Sequence, residues 1–220
     1  MPASRHVTLF HSPQSRSAGA LVLLEELAAD YELHILNLKK GEQRRADYLA
    51  INPMGKVPAI VHDGALVTEQ GAVYAYLADL YPEAGITPAI GDPLRGPYLR
   101  WLFYYGSSFE PALIDKSLKR APAPASTSPY GDYDTMLKTL TDQLAGGPFL
   151  LGERFTAADI LVASTLQSGF MAKLIEPGGV LSEYVDRAVA RDGHERAAAI
   201  DHREAQRLAL PHSSDVGVRG

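Results

Sequence analysis

Hydrophobic and polar positions alternate in two different rhythms along this chain, and the change between them divides it. Val7–His11 reads as a strand, and Ser12-Pro13-Gln14-Ser15 after it as a turn rich in helix-capping residues. Ala20, Leu23, Leu24 and Leu27 recur at helical spacing. A second strand is expected at Leu33–Leu38, broken by Lys39-Lys40-Gly41, with a short polar helix over Glu42–Ala50. Pro58–Val61 and Ala65–Val67 read as hairpin strands around Asp63-Gly64, a two-residue turn signal. Thr68 can cap the next helix, whose apolar face is expected to be Val73, Tyr76, Leu77 and Leu80.

The order strand, helix, strand, helix, hairpin, helix is the thioredoxin-like arrangement, with the first two strands parallel and the hairpin extending the sheet. Residues 82–91, with Pro82, Gly85, Pro88 and Gly91, read as a linker. Strand signals stop beyond it. Asp92-Pro93 can start a helix through Trp101, Leu102, Tyr104 and Tyr105, interrupted early by Gly96-Pro97. Ala121–Pro129 reads as a loop, helices are expected at about 130–145, 156–170, 180–191 and 195–208, and the tail from Pro211 is expected to fray. The expectation is thus α/β plus all-α: a thioredoxin-like domain at 1–81, a linker at 82–91 and an all-helical domain at 92–220.

Composition narrows the functions. The chain of 220 residues is 46% hydrophobic and 21% charged, ordinary for a globular protein. A net charge of −5 without a long basic run argues against nucleic acid as a partner. No apolar run approaches a bilayer-spanning length, and strand-like sequence begins at Val7, too early for a signal peptide; a cytoplasmic protein without a membrane partner is expected. Cysteine is absent, so disulfides, thiolate metal sites and cysteine nucleophiles are excluded. Any sulfur chemistry must use a ligand's thiol. The histidines, His11, His62, His194 and His202 among them, show no metal-ligand spacing, so no metal is expected, and no nucleotide-binding glycine loop occurs.

Asn52-Pro53-Met54-Gly55-Lys56-Val57-Pro58-Ala59-Ile60-Val61 carries the most chemistry. Pro58 begins a strand where no N–H need be donated. A cis Val57–Pro58 bond would turn Val57's N–H and C=O outward, free to pair with an extended peptide. Glu69 follows at an expected helix start, where a carboxylate beside free backbone N–H groups suits an amino acid's charged end. Phe155-Thr156-Ala157-Ala158-Asp159-Ile160 reads as a capping box with a hydrophobic staple, a folding signal that leaves Asp159 without a catalytic role.

With these segments in this order, the chain resembles the cytosolic glutathione transferases over nearly its whole length, more weakly after about residue 175. The resemblance implies glutathione as co-substrate. Its cysteinyl backbone would pair with Val57 beside Pro58, its γ-glutamyl end would lie on Glu69 and Gln70, and Arg44 and Lys56 match positions that often meet its glycine carboxylate. Gln70 departs from the family's usual Ser or Thr, although its amide offers both a donor and an acceptor. A free thiol has a pKa near 8.5, and lowering it by roughly two units takes about 2.7 kcal/mol. The family uses Tyr, Ser or Cys after its first strand; here no Tyr occurs in the first thirty residues. Ser12 best matches the serine-type classes, with Ser15 and Ser17 as alternatives. Arg16 stands where the bacterial Cys-type class has its cysteine.

A small hydrophobic electrophile is expected between the domains, against Tyr104, Tyr105 and Phe109. Glu110-Pro111 in the same helix implies a bend. The resemblance further implies a homodimer and a detoxifying transferase. Its rivals are a glutathione-dependent isomerase or dehalogenase, and a non-catalytic carrier of hydrophobic ligands. A thiol–disulfide reductase is disfavoured by the missing cysteine.

Overall fold

The computed structural model describes residues 4–210. The expected fraying from Pro211 lies outside them. Strands β1 (Val7–His11), β2 (Tyr31–Ile35), β3 (Ala59–His62) and β4 (Ala65–Val67) form one sheet in the order β2-β1-β3-β4. β1 runs parallel to β2, with Val7 opposite Tyr31, and antiparallel to β3, with Phe10 opposite Ala59. The period-two alternation of β1 sends its side chains to different neighbours. Val7 and Leu9 join the main core with helices α1 (Ser17–Glu26) and α3 (Gln70–Leu80). Phe10 packs on the other face with Leu36, Ala59 and Tyr48 of helix α2 (Ala46–Ile51).

Several boundaries differ from the sequence expectation. β2 begins and ends earlier than Leu33–Leu38, because pairing to β1 fixes its register, starting with the Val7 N–H donating to the Asp30 carbonyl at 3.1 Å. Leu36 is hydrophobic for a different reason: it lies under α2. Residues 42–50 form a 3₁₀ turn at Glu42–Arg44 before α2 instead of one helix. Thr68 does not cap α3; Glu69 does, at φ 63° and ψ 118°, and no side chain bonds the helix start. The buried stripe of α3 is Val73, Tyr74, Leu77 and Ala78, since two neighbours, the sheet and the helical half, press on it; Tyr76 and Leu80 are only half-buried.

The second half comprises α4 (Arg95–Tyr104), a π-helical turn (Tyr105–Phe109), α5 (Glu110–Ser117), α6 (Tyr133–Leu144), α7 (Ala157–Met171), α8 (Gly179–Val189) and α9 (Asp192–Ala209). Asp92 accepts the Leu94 N–H at 2.8 Å ahead of α4, and Pro97 sits in the first turn, where its missing N–H costs nothing. The wide turn before α5 accommodates Pro111: the Glu110 N–H reaches back to the Tyr105 carbonyl, five residues away. Thr156 and Asp159 form the expected capping box at α7.

Residues 82–91 are not a free tether. Ile86 and Thr87 are buried; the Ile86 carbonyl accepts the Ala157 N–H at 2.9 Å, and the Thr87 carbonyl accepts Arg154 at 2.9 Å. One continuous core runs through both halves. α9 closes back on α1 through Arg191–Glu26 and Arg196–Glu25 ion pairs at 2.7 and 2.8 Å. Among the described residues no helix is long and apolar enough to cross a membrane.

Candidate active site

A cleft of about 910 Å³ lies where β1's following loop, the Asn52–Pro58 segment and the start of α3 face α4 and the π turn. Its floor is a pinned loop. Asn52, buried, donates its amide to the Lys56 carbonyl at 2.9 Å and accepts the Met54 N–H at 3.1 Å, and Tyr48 donates to the same Lys56 carbonyl at 2.5 Å. Gly55 turns the chain at φ 58°, where a Cβ would meet the Gln43 carbonyl at 2.6 Å. The Val57–Pro58 bond is cis. Val57 lies outside the ladder of β3, and among the described residues its N–H and C=O have no hydrogen-bond partner.

Arg44, Lys56, Val57, Pro58, Glu69 and Gln70 all line this cleft. Arg44 also donates to the Met54 carbonyl at 3.3 Å. Glu69 is exposed, and its left-handed φ aims the start of α3 at the cavity while the helix's first N–H groups stay uncapped. Gln70 is engaged differently from the expectation. Its amide oxygen accepts the Tyr105 hydroxyl and its amide nitrogen donates to the Arg16 carbonyl at 3.3 Å, so the side chain is held against the protein, and its backbone N–H lies at the start of α3.

Of the two main serine candidates, the cleft is lined by Ser15 and Arg16, not by Ser12. Gln14, at φ 57°, reverses the chain between them. Ser12 is buried at 4% exposure; its N–H donates to Ser17 Oγ at 3.0 Å and its carbonyl accepts the Ser15 hydroxyl at 2.7 Å. Arg16 pairs across the cleft with Glu110, which gives that acidic residue a role the sequence did not assign.

The opposite wall corrects two of three aromatic assignments. Tyr105 lines the cleft, and burial lifts its hydroxyl pKa to about 12, so it stays a neutral donor. Tyr104 does not: its hydroxyl bonds the Met136 carbonyl at 2.6 Å and its ring lies edge-on to Trp101. Phe109 is fully buried. The wall is instead Leu99, Leu102, Phe103 and Ile114, with Ser107 and Glu110 among them. Phe103, at 73% exposure, is the signal missed, because it sits on the helix face opposite the core stripe and only the position of the sheet shows that this face fronts a cavity.

Comparison with known proteins agrees with this layout. Residues 5–79 match the glutathione S-transferase N-terminal domain, and residues 130–187 match the glutathione S-transferase C-terminal domain. The chain is 28% identical to Glutathione S-transferase GstA of Escherichia coli O157:H7, over 76% of this chain and 84% of that protein. It is 30% identical to Disulfide-bond oxidoreductase YfcG of Escherichia coli strain K12, over 70% of this chain and 76% of the relative. Among solved structures, a sphingomonad glutathione S-transferase complexed with glutathione superposes with a TM-score of 0.73 at 30% identity, covering 89% of this chain and 98% of that one. The matched regions fall in the same order as the sheet half and the helical half, and the chain belongs to the glutathione S-transferase family.

Proposed function

We propose that this transferase binds glutathione along the cleft floor and activates its thiol at Ser15, for attack on a small hydrophobic electrophile held against Leu99, Leu102, Phe103 and Ile114. The observation that carries the reading is the set of groups lining one cleft: the start of α3 beside Glu69 with no side chain bonding it, the unpaired backbone of Val57, and Ser15 beside Arg16. The γ-glutamyl carboxylate suits the N–H groups of Gln70 and Gly71, and its ammonium suits Glu69. The cysteinyl backbone pairs with Val57 as an added strand. Lys56 and Arg44 face the glycine carboxylate. Ser15 then donates to the sulfur and Arg16 adds positive charge, each favouring the thiolate. Ser12, the first candidate on sequence grounds, keeps a supporting role through its backbone. A cytoplasmic homodimer is the working form that the family's habit supports.

The experiment is a titration of bound glutathione by its thiolate absorbance in the wild type, Ser15→Ala and Ser12→Ala. The expected result is a thiol pKa well below its free value in the wild type and Ser12→Ala, returning most of the way in Ser15→Ala. A normal thiol pKa in the wild type would sink the reading; a loss confined to Ser12→Ala would return the role to Ser12.

The relative named disulfide-bond oxidoreductase favours a second reading, in which the same thiolate attacks a disulfide. With no cysteine in this chain, a second glutathione must then supply the resolving thiol. Release of oxidised glutathione during turnover distinguishes it from conjugation.

A further inference from the structure

Behind Ser15 runs a buried line of polar groups that the proposed binding of glutathione does not use. Ser15 Oγ lies 2.8 Å from Ser17 Oγ, and Ser17 Oγ lies 2.8 Å from His11 Nδ1. His11 and Ser17 are both fully buried. On the far side of the ring, His11 Nε2 is 3.2 Å from Asp201 Oδ1 of α9, yet it is off the direction of a hydrogen bond and has no other partner. Asp201 is held there by accepting the Gln14 N–H at 3.2 Å.

We propose that His11 takes up the proton that the glutathione thiol gives up, delivered through the hydroxyls of Ser15 and Ser17, while Asp201 positions and pairs the imidazolium that forms. The proposal rests on the reading that the thiol sits at Ser15.

The hydrogen-bond inventory is compatible with transfer in this direction. Ser17 Oγ accepts the Ser12 N–H at 3.0 Å, and Ser15 Oγ accepts the Ser17 N–H at 3.2 Å. In the neutral tautomer with the proton on Nε2, which the relay requires, Nδ1 is an acceptor and takes the Ser17 hydroxyl. The Ser15 hydroxyl rests on the Ser12 carbonyl at 2.7 Å and rotates onto Ser17 Oγ, 2.8 Å away, to pass its proton on; its remaining lone pair is left for the cleft. When the thiol arrives, its S–H bond breaks as its proton passes to Ser15 Oγ. Ser15 gives its own proton to Ser17 Oγ, and Ser17 gives its own to His11 Nδ1, where the new N–H bond forms. The products are a thiolate and an imidazolium; no proton enters solvent. Every hydroxyl in the line now points the other way, and Ser15 donates to the sulfur it has just deprotonated.

In water this transfer is uphill by about a hundredfold, the gap between an ordinary thiol and an ordinary imidazole. Pairing with Asp201 and the reversed hydroxyls both favour the transfer in the folded protein. Among the described residues, Asp201 is the charged group paired with the ring. From α1 the ring meets Ser17, and from β2 its register neighbour is Ile35. The part-buried Glu204 of α9 is engaged by Arg203 and Arg207. Arg16, Glu69 and Glu110 lie at the cleft end of the line.

Proton release on glutathione binding tests this. Binding heats are measured in two buffers of different ionisation enthalpy at a pH near 7, beside the thiolate absorbance. The expected wild-type result is a full thiolate signal with essentially no proton released. In Asp201→Asn the thiolate fraction should fall about tenfold, and in Ser17→Ala any remaining thiolate should appear with one proton released per thiolate. Folding of both variants is checked by near-ultraviolet circular dichroism, and two substitutions keep the test alive should one not fold. One proton released per thiolate in the wild type would overturn the relay while leaving activation at Ser15 intact. No thiolate at all would overturn both.

Discussion

Two helices of this protein begin at conspicuous acidic residues, and they begin in opposite ways. At α7 everything is closed. Asp159 accepts the Thr156 N–H and hydroxyl at 2.8 and 2.9 Å, the Leu150 N–H at 2.8 Å and the Tyr184 hydroxyl at 3.1 Å, all buried. At α3 everything is open. Glu69 is exposed, its side chain bonds no neighbour among the described residues, its φ is strained, and the N–H groups behind it face a cleft. A helix start whose donors are satisfied internally stabilises the fold; one whose donors are left free is a place for an anion. The same backbone physics thus serves folding in one half and binding in the other.

That contrast can be broken from either side. Asp159→Ala should cost about 3 kcal/mol, because Leu150, Thr156 and Tyr184 lose their shared acceptor in the core. Urea unfolding measures the loss, and glutathione affinity of the folded protein should stay as it was; a matching loss of affinity would mean that the two helix starts are coupled. Asp159 also sets a pH dependence. Burial pushes its carboxyl up to about 6 from an ordinary 3.8, so the fold favours the protonated acid. That contribution is fully present below about pH 4 and is lost as pH rises through 6, by up to about 3 kcal/mol. Asp159→Asn should flatten this slope in unfolding measured across the range, and an unchanged slope would assign it to another group.

At the open end the effects are smaller and fall on binding. Glu69→Ala should weaken glutathione about tenfold, near 1.4 kcal/mol, by titration calorimetry, with unfolding free energy unchanged. Glu69→Gly should weaken it as much while stabilising the fold by about 1 kcal/mol, since glycine accepts a left-handed φ. A destabilised glycine variant would show that Glu69's side chain supports the fold after all.

Legibility in the sequence followed the range of the forces involved. The Asp63-Gly64 turn was readable because both residues take positive φ, at 47° and 79°, a local demand with a local residue signature. The capping box was readable for the same reason. β2 was displaced because its register is set by β1, twenty-four residues away in sequence. Ser12 and Ser15 were inseparable on paper: which hydroxyl faces the cleft depends on the reversal at Gln14, and glutamine carries no turn signature. Tyr104 was named for the cleft and Phe103 passed over because a helix with one face on α6 and another on a cavity looks, in one dimension, equally apolar on both.

The way α9 lies on α1 has a consequence for how such a chain can be rebuilt. Arg191, Arg196 and Asp201 reach Glu26, Glu25 and the Gln14 N–H of the opposite half, so the last helix is stitched to α1 and the first loop. A chimera that took residues 4–81 from one parent and the remainder from another would have mismatched partners at three seams. Swapping the first loop, α1 and residues 191–209 together, as one unit, keeps them matched. In this architecture the natural cassette for exchange is discontinuous, made of the chain's beginning and its end.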